Sequence, residues 1–338
     1  MMRQLKEKWK QERKGFQLKA GWEWLQNLRF ADDLLLIASS QSQVKSMLQD
    51  LSEAAARVGL ELHMGKTKVL SNGVGPGNRS SKIAINGQDV EVIPAGGSTM
   101  YLGRALSLRC PHDAEISQRI ARAWAKFGTF KKELTNRSYS LQHRMKLFHT
   151  VVTPTVLYGC GSWVMTRARE QKLRTAQRRM LRAILGKGRS QLDAHSDADS
   201  HTDTTVSSHD SDNLESWVDW IHRVTEEAIA AMARAGVPDW IEEQQRRKWR
   251  WAGHVCRRYD GRWTKQVLEW TPSGGHRRQG HPFSRWCDDI NGFISTLDAA
   301  SSGDEAVSIG VWSATAQDRA VWAQLEDDYV NYCYERWH

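Results

Sequence analysis

The stretch Arg-Phe-Ala-Asp-Asp-Leu-Leu-Leu-Ile-Ala-Ser at residues 29–39 sets two adjacent carboxylates, Asp32 and Asp33, between apolar runs. Like charges side by side repel and resist burial, so a strand interior avoids them unless something binds them. A divalent cation is the usual partner of such a pair. The flanking runs Leu28-Arg29-Phe30 and Leu34-Leu35-Leu36-Ile37-Ala38 are short and joined by a tight turn, which predicts a β-hairpin with Asp32 and Asp33 at its tip. The alternative reading is an ordinary solvated turn.

Immediately after this hairpin, Ser39 and Ser40 are good helix caps. Val44, Met47, Leu48, Leu51, Ala55 and Val58 then recur at helical spacing until Gly59, which predicts a helix of about five turns. Residues 59–73 form an extended segment containing Lys66 and Lys68. In residues 82–93, Asn86-Gly87 between alternating apolar runs predicts a type I′ hairpin turn. Residues 99–106, TMYLGRAL, read as one further apolar strand. On the other side of the hairpin, residues 1–20 are basic and lack a clear apolar face, the pattern of a solvated helix or a disordered lead-in.

From residue 113 the period becomes helical. Ile116, Ile120, Ala123, Phe127, Phe130 and Leu134 mark one helix, and Leu141, Met145, Phe148 and Val152 begin another with a kink at Pro154. Leu173, Ala176, Met180, Leu181, Ile184 and Leu185 mark a third, stopped by Gly186, and its other face is almost all arginine. Residues 190–222 hold eight acids and no Lys or Arg, so 190–213 reads as a disordered acidic linker. His195, His201 and His209 within it read as solvated in preference to metal-binding. The tail from 214 to 338 is Trp-rich and mostly helical, with Ala320, Leu325, Tyr329 and Tyr332 on its last amphipathic stretch. Trp249, Trp251, Trp263, Trp270 and Trp286 suggest a small core in preference to base-stacking platforms. His254, Cys256, His276, His281 and Cys287 fit none of the standard zinc spacings.

Composition narrows the function class. The 338 residues carry a formal charge of +9, and the charge is concentrated: nine Lys/Arg against Glu170 in residues 167–189, and eleven against Asp260 and Glu269 in residues 246–285. Such patches favour a polyanionic partner, although an arginine-rich helix can also be a plain solvated face. No apolar run approaches the roughly 20 residues that span a bilayer, and the charged start is not followed by a hydrophobic stretch. The expectation is an intracellular protein, nuclear or cytoplasmic, with no membrane partner. Five cysteines without a CxxC pair read as free thiols.

Four pieces in order, Phe30-Ala31-Asp32-Asp33, the capped helix, Gly59-Leu60-Glu61-Leu62 through Lys66-Thr67, and Tyr101-Leu102-Gly103, are more specific together than any one alone. They resemble the second half of the palm of a reverse transcriptase of non-LTR (LINE-like) retrotransposons. The resemblance continues through LYGCGSW at 157–163 and the basic helix QRRMLRAILG at 177–186, which is similar to the thumb of these elements. It implies an RNA-directed DNA polymerase, a nucleotidyltransferase working on an RNA template and a DNA primer or target with Mg²⁺ or Mn²⁺. By the resemblance, Asp32 is the principal metal ligand and Asp33 the supporting one. Lys66 is a candidate for neutralising the pyrophosphate, and Tyr101, Leu102 and Gly103 grip the primer end. Arg174, Arg178, Arg179 and Arg182 on the thumb-like helix, with Arg250, Arg257 and Arg258 in the tail, are the candidate nucleic-acid contacts.

The chain also departs from the family pattern. The polymerase needs a further aspartate on an earlier palm strand, together with nucleotide-binding fingers. Only Glu7, Glu12 and Glu23 are the acids before Asp32, none in a buried-strand pattern. The expectation is therefore an amino-terminally truncated reverse transcriptase, catalytically incomplete unless a partner supplies the missing half-palm. Mg²⁺ or Mn²⁺ would then bind only to a completed site. The alternative is a non-catalytic RNA- or DNA-binding protein of retroelement descent. No endonuclease signature is present, so no nicking activity is expected. The predicted architecture is α+β: a basic lead-in at 1–20, a partial palm at 21–107, a helical thumb-like region at 108–189, the acidic linker at 190–213 and the basic Trp-rich tail at 214–338.

Overall fold

The computed structural model describes residues 1–73, 81–191, 214–270, 284–301 and 312–336. Within them the chain is α+β, with all its strands before residue 107 and helices thereafter, as the sequence predicts. The chain divides into two compact units. One comprises Met1–Gln118, Ser162–Val164 and Trp249–Cys333, the other Arg119–Gly161, Met165–Lys248 and Tyr334–His338.

The first unit opens with α1 (Met2–Gln11), and here the reading of a segment without an apolar face is corrected. Leu5 and Trp9, four residues apart and so on one helix face, are buried with Met47 and Leu51. A stripe this narrow suffices because one indole removes about 150–250 Å² from water. Strands β1 (Phe16–Gln17) and β2 (Trp24–Leu25) pair antiparallel. Next, β3 (Asn27–Phe30) and β4 (Asp33–Leu36) form the predicted hairpin, in register from Asn27 opposite Leu36 to Phe30 opposite Asp33. Helix α2 (Gln41–Ala56) starts where expected, with the Ser40 hydroxyl accepting from the Gln43 amide at 3.2 Å.

Strand β5 (Lys68–Leu70) lies parallel to β7 (Gln88–Ile93), which pairs antiparallel with β6 (Lys82–Ile85). Ile83, Ile85, Val90 and Val92 alternate with exposed residues and bury one sheet face against Leu48 of α2. Asn86 and Gly87, at φ 50° and 77°, make the I′-type turn that the sequence predicts. Residues 99–106 differ from expectation. In place of one strand they fold into a second tight hairpin, β8 (Thr99–Tyr101) with β9 (Arg104–Leu106). The turn is Leu102-Gly103 at φ 49° and 75°, a backbone that glycine adopts freely and leucine at a cost of about 1–2 kcal/mol. A leucine in that position hides the turn from a reading of sequence. Helix α3 (Pro111–Thr129) secures the hairpin: the buried Glu115 accepts from the Ala105 amide and pairs with Arg104 Nε at 3.4 Å.

In the second unit the helix expected to run through Leu134 breaks at Phe130, just past Gly128, and resumes as α4 (Lys131–Thr135). Helix α5 (Leu141–Val151) is capped by Ser140, and Pro154 sits in the first turn of α6 (Thr153–Val156), where its missing N–H costs nothing. Then follow α7 (Arg167–Leu185), ended by Gly186 at φ 64°, α8 (Trp217–Arg234) and α9 (Trp240–Cys256). Trp240 stacks on Phe148 at 5.7 Å and donates to Thr153 Oγ1 at 3.0 Å, while its own amide donates to Gln177 Oε1.

Glu215 ties the end of α7 to the start of α8. It accepts from Arg223 Nη2 at 2.7 Å, Arg223 Nε at 2.9 Å and the Ser190 amide at 3.1 Å. Arg223 first, and the Ser190 amide after it, lower the Glu215 carboxyl from the ordinary 4.5 to about 2. A carboxyl held low when folded stabilises fully above its unfolded value and loses that contribution as pH falls through the folded one. Glu215→Gln is therefore expected to flatten the pH dependence of the thermal midpoint between about pH 4.5 and 2. An unchanged acid limb in melts across that window would refute the clamp. Most of the acidic segment with His195, His201 and His209 lies outside the described residues, as do His276 and His281.

The remainder of the first unit contains α10 (Trp263–Glu269), α11 (Asp288–Ser301), α12 (Trp312–Thr315), α13 (Arg319–Gln324) and α14 (Glu326–Glu335) as far as Cys333. These pack, with the end of α9, around Trp249, Trp312 and Trp322. At least Trp249 thus belongs to a core, as expected. Trp251 and Trp286 meet edge to face at 5.1 Å beside it.

Candidate functional site

The β3–β4 hairpin is held at its root and open at its tip. Leu34 and Leu36 pack into the apolar clusters around α1 and α2. Because side chains alternate across a strand, Asp33 lies on the other face, with its cross-strand partner Phe30 and with Leu28 and Leu35. Phe30 is 66% exposed. Asp32 shares the two-residue turn with Ala31, whose φ of 51° is left-handed backbone that a non-glycine residue adopts at a cost of about 1–2 kcal/mol. Both carboxylates are exposed.

Asp33 lies within electrostatic range of Tyr101 although 68 positions separate them. Burial, and after it the Asp33 carboxylate, push the Tyr101 phenol above its ordinary range, since a nearby negative charge disfavours the phenolate. Leu102 and Gly103 form the turn that carries Tyr101. Lys66 stands exposed on the turn before β5 and makes no ion pair with Asp32 or Asp33. Glu23 lies beyond the opposite end of the β3–β4 ladder and pairs with Lys6 at 3.5 Å.

Two-metal phosphoryl chemistry holds its ions about 3.5–4 Å apart in an oxygen-rich cage. Among the described residues no group of three or more His, Cys, Asp or Glu is arranged to hold a metal ion. Two neighbouring carboxylates on an exposed turn supply part of such a cage, and these residues alone do not fit a resident pair of divalent ions. His254, Cys256 and Cys287 form no such group either, with Cys256 buried in the tryptophan core.

The arginines of α7 fall into different surroundings. Arg174 and Arg178 lie beside Asp239 at the start of α9, whose carboxyl is pushed up by burial and drawn back by the Ile241 amide and these two guanidinium groups. Arg182 donates to Thr225 Oγ1 at 2.8 Å, and burial lowers the guanidinium pKa of both Arg178 and Arg182. Arg179 is exposed and lies over the Trp124 ring of α3, 5.8 Å from its centroid. In the tail, Arg250 makes a two-pronged pair with Glu326 at 2.8 and 2.5 Å. Arg257 donates to the Ala316 carbonyl at 2.6 Å, and Arg258 pairs with Asp260 at 3.3 Å.

The chain is 32% identical over 304 residues to the transposon-derived protein F52C9.6 of Caenorhabditis elegans, an alignment covering 88% of this chain and 94% of the relative. It belongs to this transposon-derived family. No protein-family model and no solved structure matches it.

In this transposon-derived chain, Trp124 is a site candidate that the sequence reading passed over. It sits three residues before the buried Phe127, whose ring it meets edge to face at 5.6 Å, and so looks like one more core position. Its partial exposure beside Arg179 depends on the packing of α3 against α7, which periodicity does not reveal. No described helix is long and apolar enough to cross a membrane.

Proposed function

We propose that this transposon-derived protein descends from the palm and thumb of a non-LTR reverse transcriptase and acts by binding nucleic acid, without polymerising on its own. The observation that carries the reading is that the β3–β4 hairpin brings the Asp33 carboxylate near enough for its charge to act on the Tyr101 phenol, two motifs far apart in sequence that the resemblance assigns to one polymerase centre. Supporting it, α7 presents Arg167, Lys172 and Arg179 on exposed positions, and a phosphate chain gives up its own condensed counterions when it meets such a face.

Catalysis would require another carboxylate to join Asp32 and Asp33 from an adjoining strand. Mg²⁺ or Mn²⁺ would be held by the two aspartates only in that completed assembly, with a template RNA and a DNA primer as substrates.

The test pairs synthesis with binding. Purified chain is offered a primed RNA template with Mg²⁺ or Mn²⁺, alongside Asp32→Ala, and affinity is followed as salt rises. The expected result is no template-dependent extension, and binding whose logarithm falls linearly with log salt, by about 0.7 per phosphate neutralised on a single strand. Asp32→Ala binds like the parent. Vigorous extension abolished by Asp32→Ala would replace the binding role by an enzymatic one, and absence of any salt-sensitive binding would end both.

A further inference from the structure

We infer that the groove between α3 and α7 receives one unpaired nucleotide of a single-stranded nucleic acid, with its base against Trp124 and Arg179 and its phosphate toward Lys172. This deepens the nucleic-acid reading above and rests on it. The groove is open to solvent along one side and has a volume of about 410 Å³. Ile120 and Ala176 give it an apolar floor, and Gln171, Lys172, Thr175 and Arg179 give it a polar, cationic rim.

Three features select this occupant. The edge-to-face contact with Phe127, which is itself buried, fixes the Trp124 ring, so a stacking partner loses little freedom to a platform already in place. A planar guanidinium over that ring provides a second surface on which bases stack. Among the lining residues the charged ones, Lys172 and Arg179, are both cations, which complements a phosphate and opposes a cationic or apolar peptide. Duplex bases, already stacked on their neighbours, have no free face to offer, so the groove distinguishes single strands from double.

The experiment measures affinities of the full chain for a fluorescent single-stranded oligonucleotide and for the matching duplex. It compares the parent with Trp124→Leu and Arg179→Gln, and adds oligonucleotides carrying one abasic position. Circular dichroism identifies any variant that fails to fold, and Arg179→Gln, at an exposed position, serves if Trp124→Leu does not. Trp124→Leu, which loses one stacked base, is expected to weaken single-strand binding roughly tenfold while duplex binding changes less than about twofold. Arg179→Gln, which also removes a cation from the phosphate-binding face, is expected to weaken both, the single strand more than the duplex. An abasic position that weakens the parent is expected to have little further effect on Trp124→Leu. If single-strand affinity survives both substitutions in folded protein, the groove is not the site, while the wider nucleic-acid reading stands. If the parent binds neither oligonucleotide, that wider reading fails, and this one with it.

Discussion

Replacing Trp249 by alanine is expected to cost about 5 kcal/mol and to abolish the cooperative packing of the tryptophan core. Trp249 is fully buried and lies parallel to Trp322 with ring centroids 3.6 Å apart and planes 2° from coincident. Tyr329 stacks at 4.6 Å and Phe293 meets it edge-on at 5.5 Å. The two indoles also exchange hydrogen bonds: Trp249 Nε1 donates to the Trp322 carbonyl at 2.8 Å and Trp322 Nε1 to the Trp249 carbonyl at 3.0 Å. Truncating a buried Trp to Ala costs about 3–5 kcal/mol, and a carbonyl left without its donor adds about 1–3. The loss is of the order of a whole domain's stability. Near-UV circular dichroism and chemical denaturation read it directly. Trp249→Phe, which keeps an aromatic stack but loses the N–H, is expected to cost about 1–3 kcal/mol. A Trp249→Ala protein destabilised by less than about 1 kcal/mol would show that the pair is not the centre of this core. Gly253 belongs to the same device, since a Cβ there would stand 2.5 Å from Trp322 Nε1.

The second large effect is at Asp50, where Asp50→Ala is expected to cost about 2–4 kcal/mol and to remove an acid-sensitive part of the stability curve. One carboxylate oxygen accepts from Lys8 Nζ at 2.6 Å. The other accepts from Trp9 Nε1 at 2.8 Å and Lys14 Nζ at 3.0 Å. Removing the acid strands the N–H of a fully buried indole and takes an anion from the poorly exposed Lys14, and breaking such a network costs more than forming it contributes. Burial alone would raise the Asp50 carboxyl, but the hydrogen bonds from Lys8, Trp9 and Lys14 outweigh it and hold the group below its ordinary 3.8. Its contribution is therefore complete above about pH 4 and disappears as pH falls through the lower folded value. Urea midpoints at pH 7 are expected to differ clearly between parent and Asp50→Ala, and to converge in strong acid. A constant gap across that range would refute the electrostatic account.

Local chemistry was legible in the residues themselves. The Ser40 cap, the Asn86-Gly87 turn, the Gly186 stop and the Asp32-Asp33 hairpin each depend on a few neighbouring positions, and each appears where the pattern puts it. The turn at Leu102-Gly103 escaped because leucine at positive φ contradicts its own propensity. The docking of α1 escaped because two buried residues in a basic helix make a weak periodic signal.

Partner choice over long separations was decided only by the tertiary fold. Nothing within eight residues of Trp249 names Trp322, and nothing near Arg250 names Glu326, 76 positions away. The same holds for the basic face. Sequence alone determines that α7 carries arginines on one side, whereas the packed helices decide that Arg174 and Arg178 answer Asp239 while Arg179 remains at the surface beside Trp124. The physical reason is range: capping and turn geometry act within one or two turns of chain, while burial and charge pairing depend on which surfaces meet.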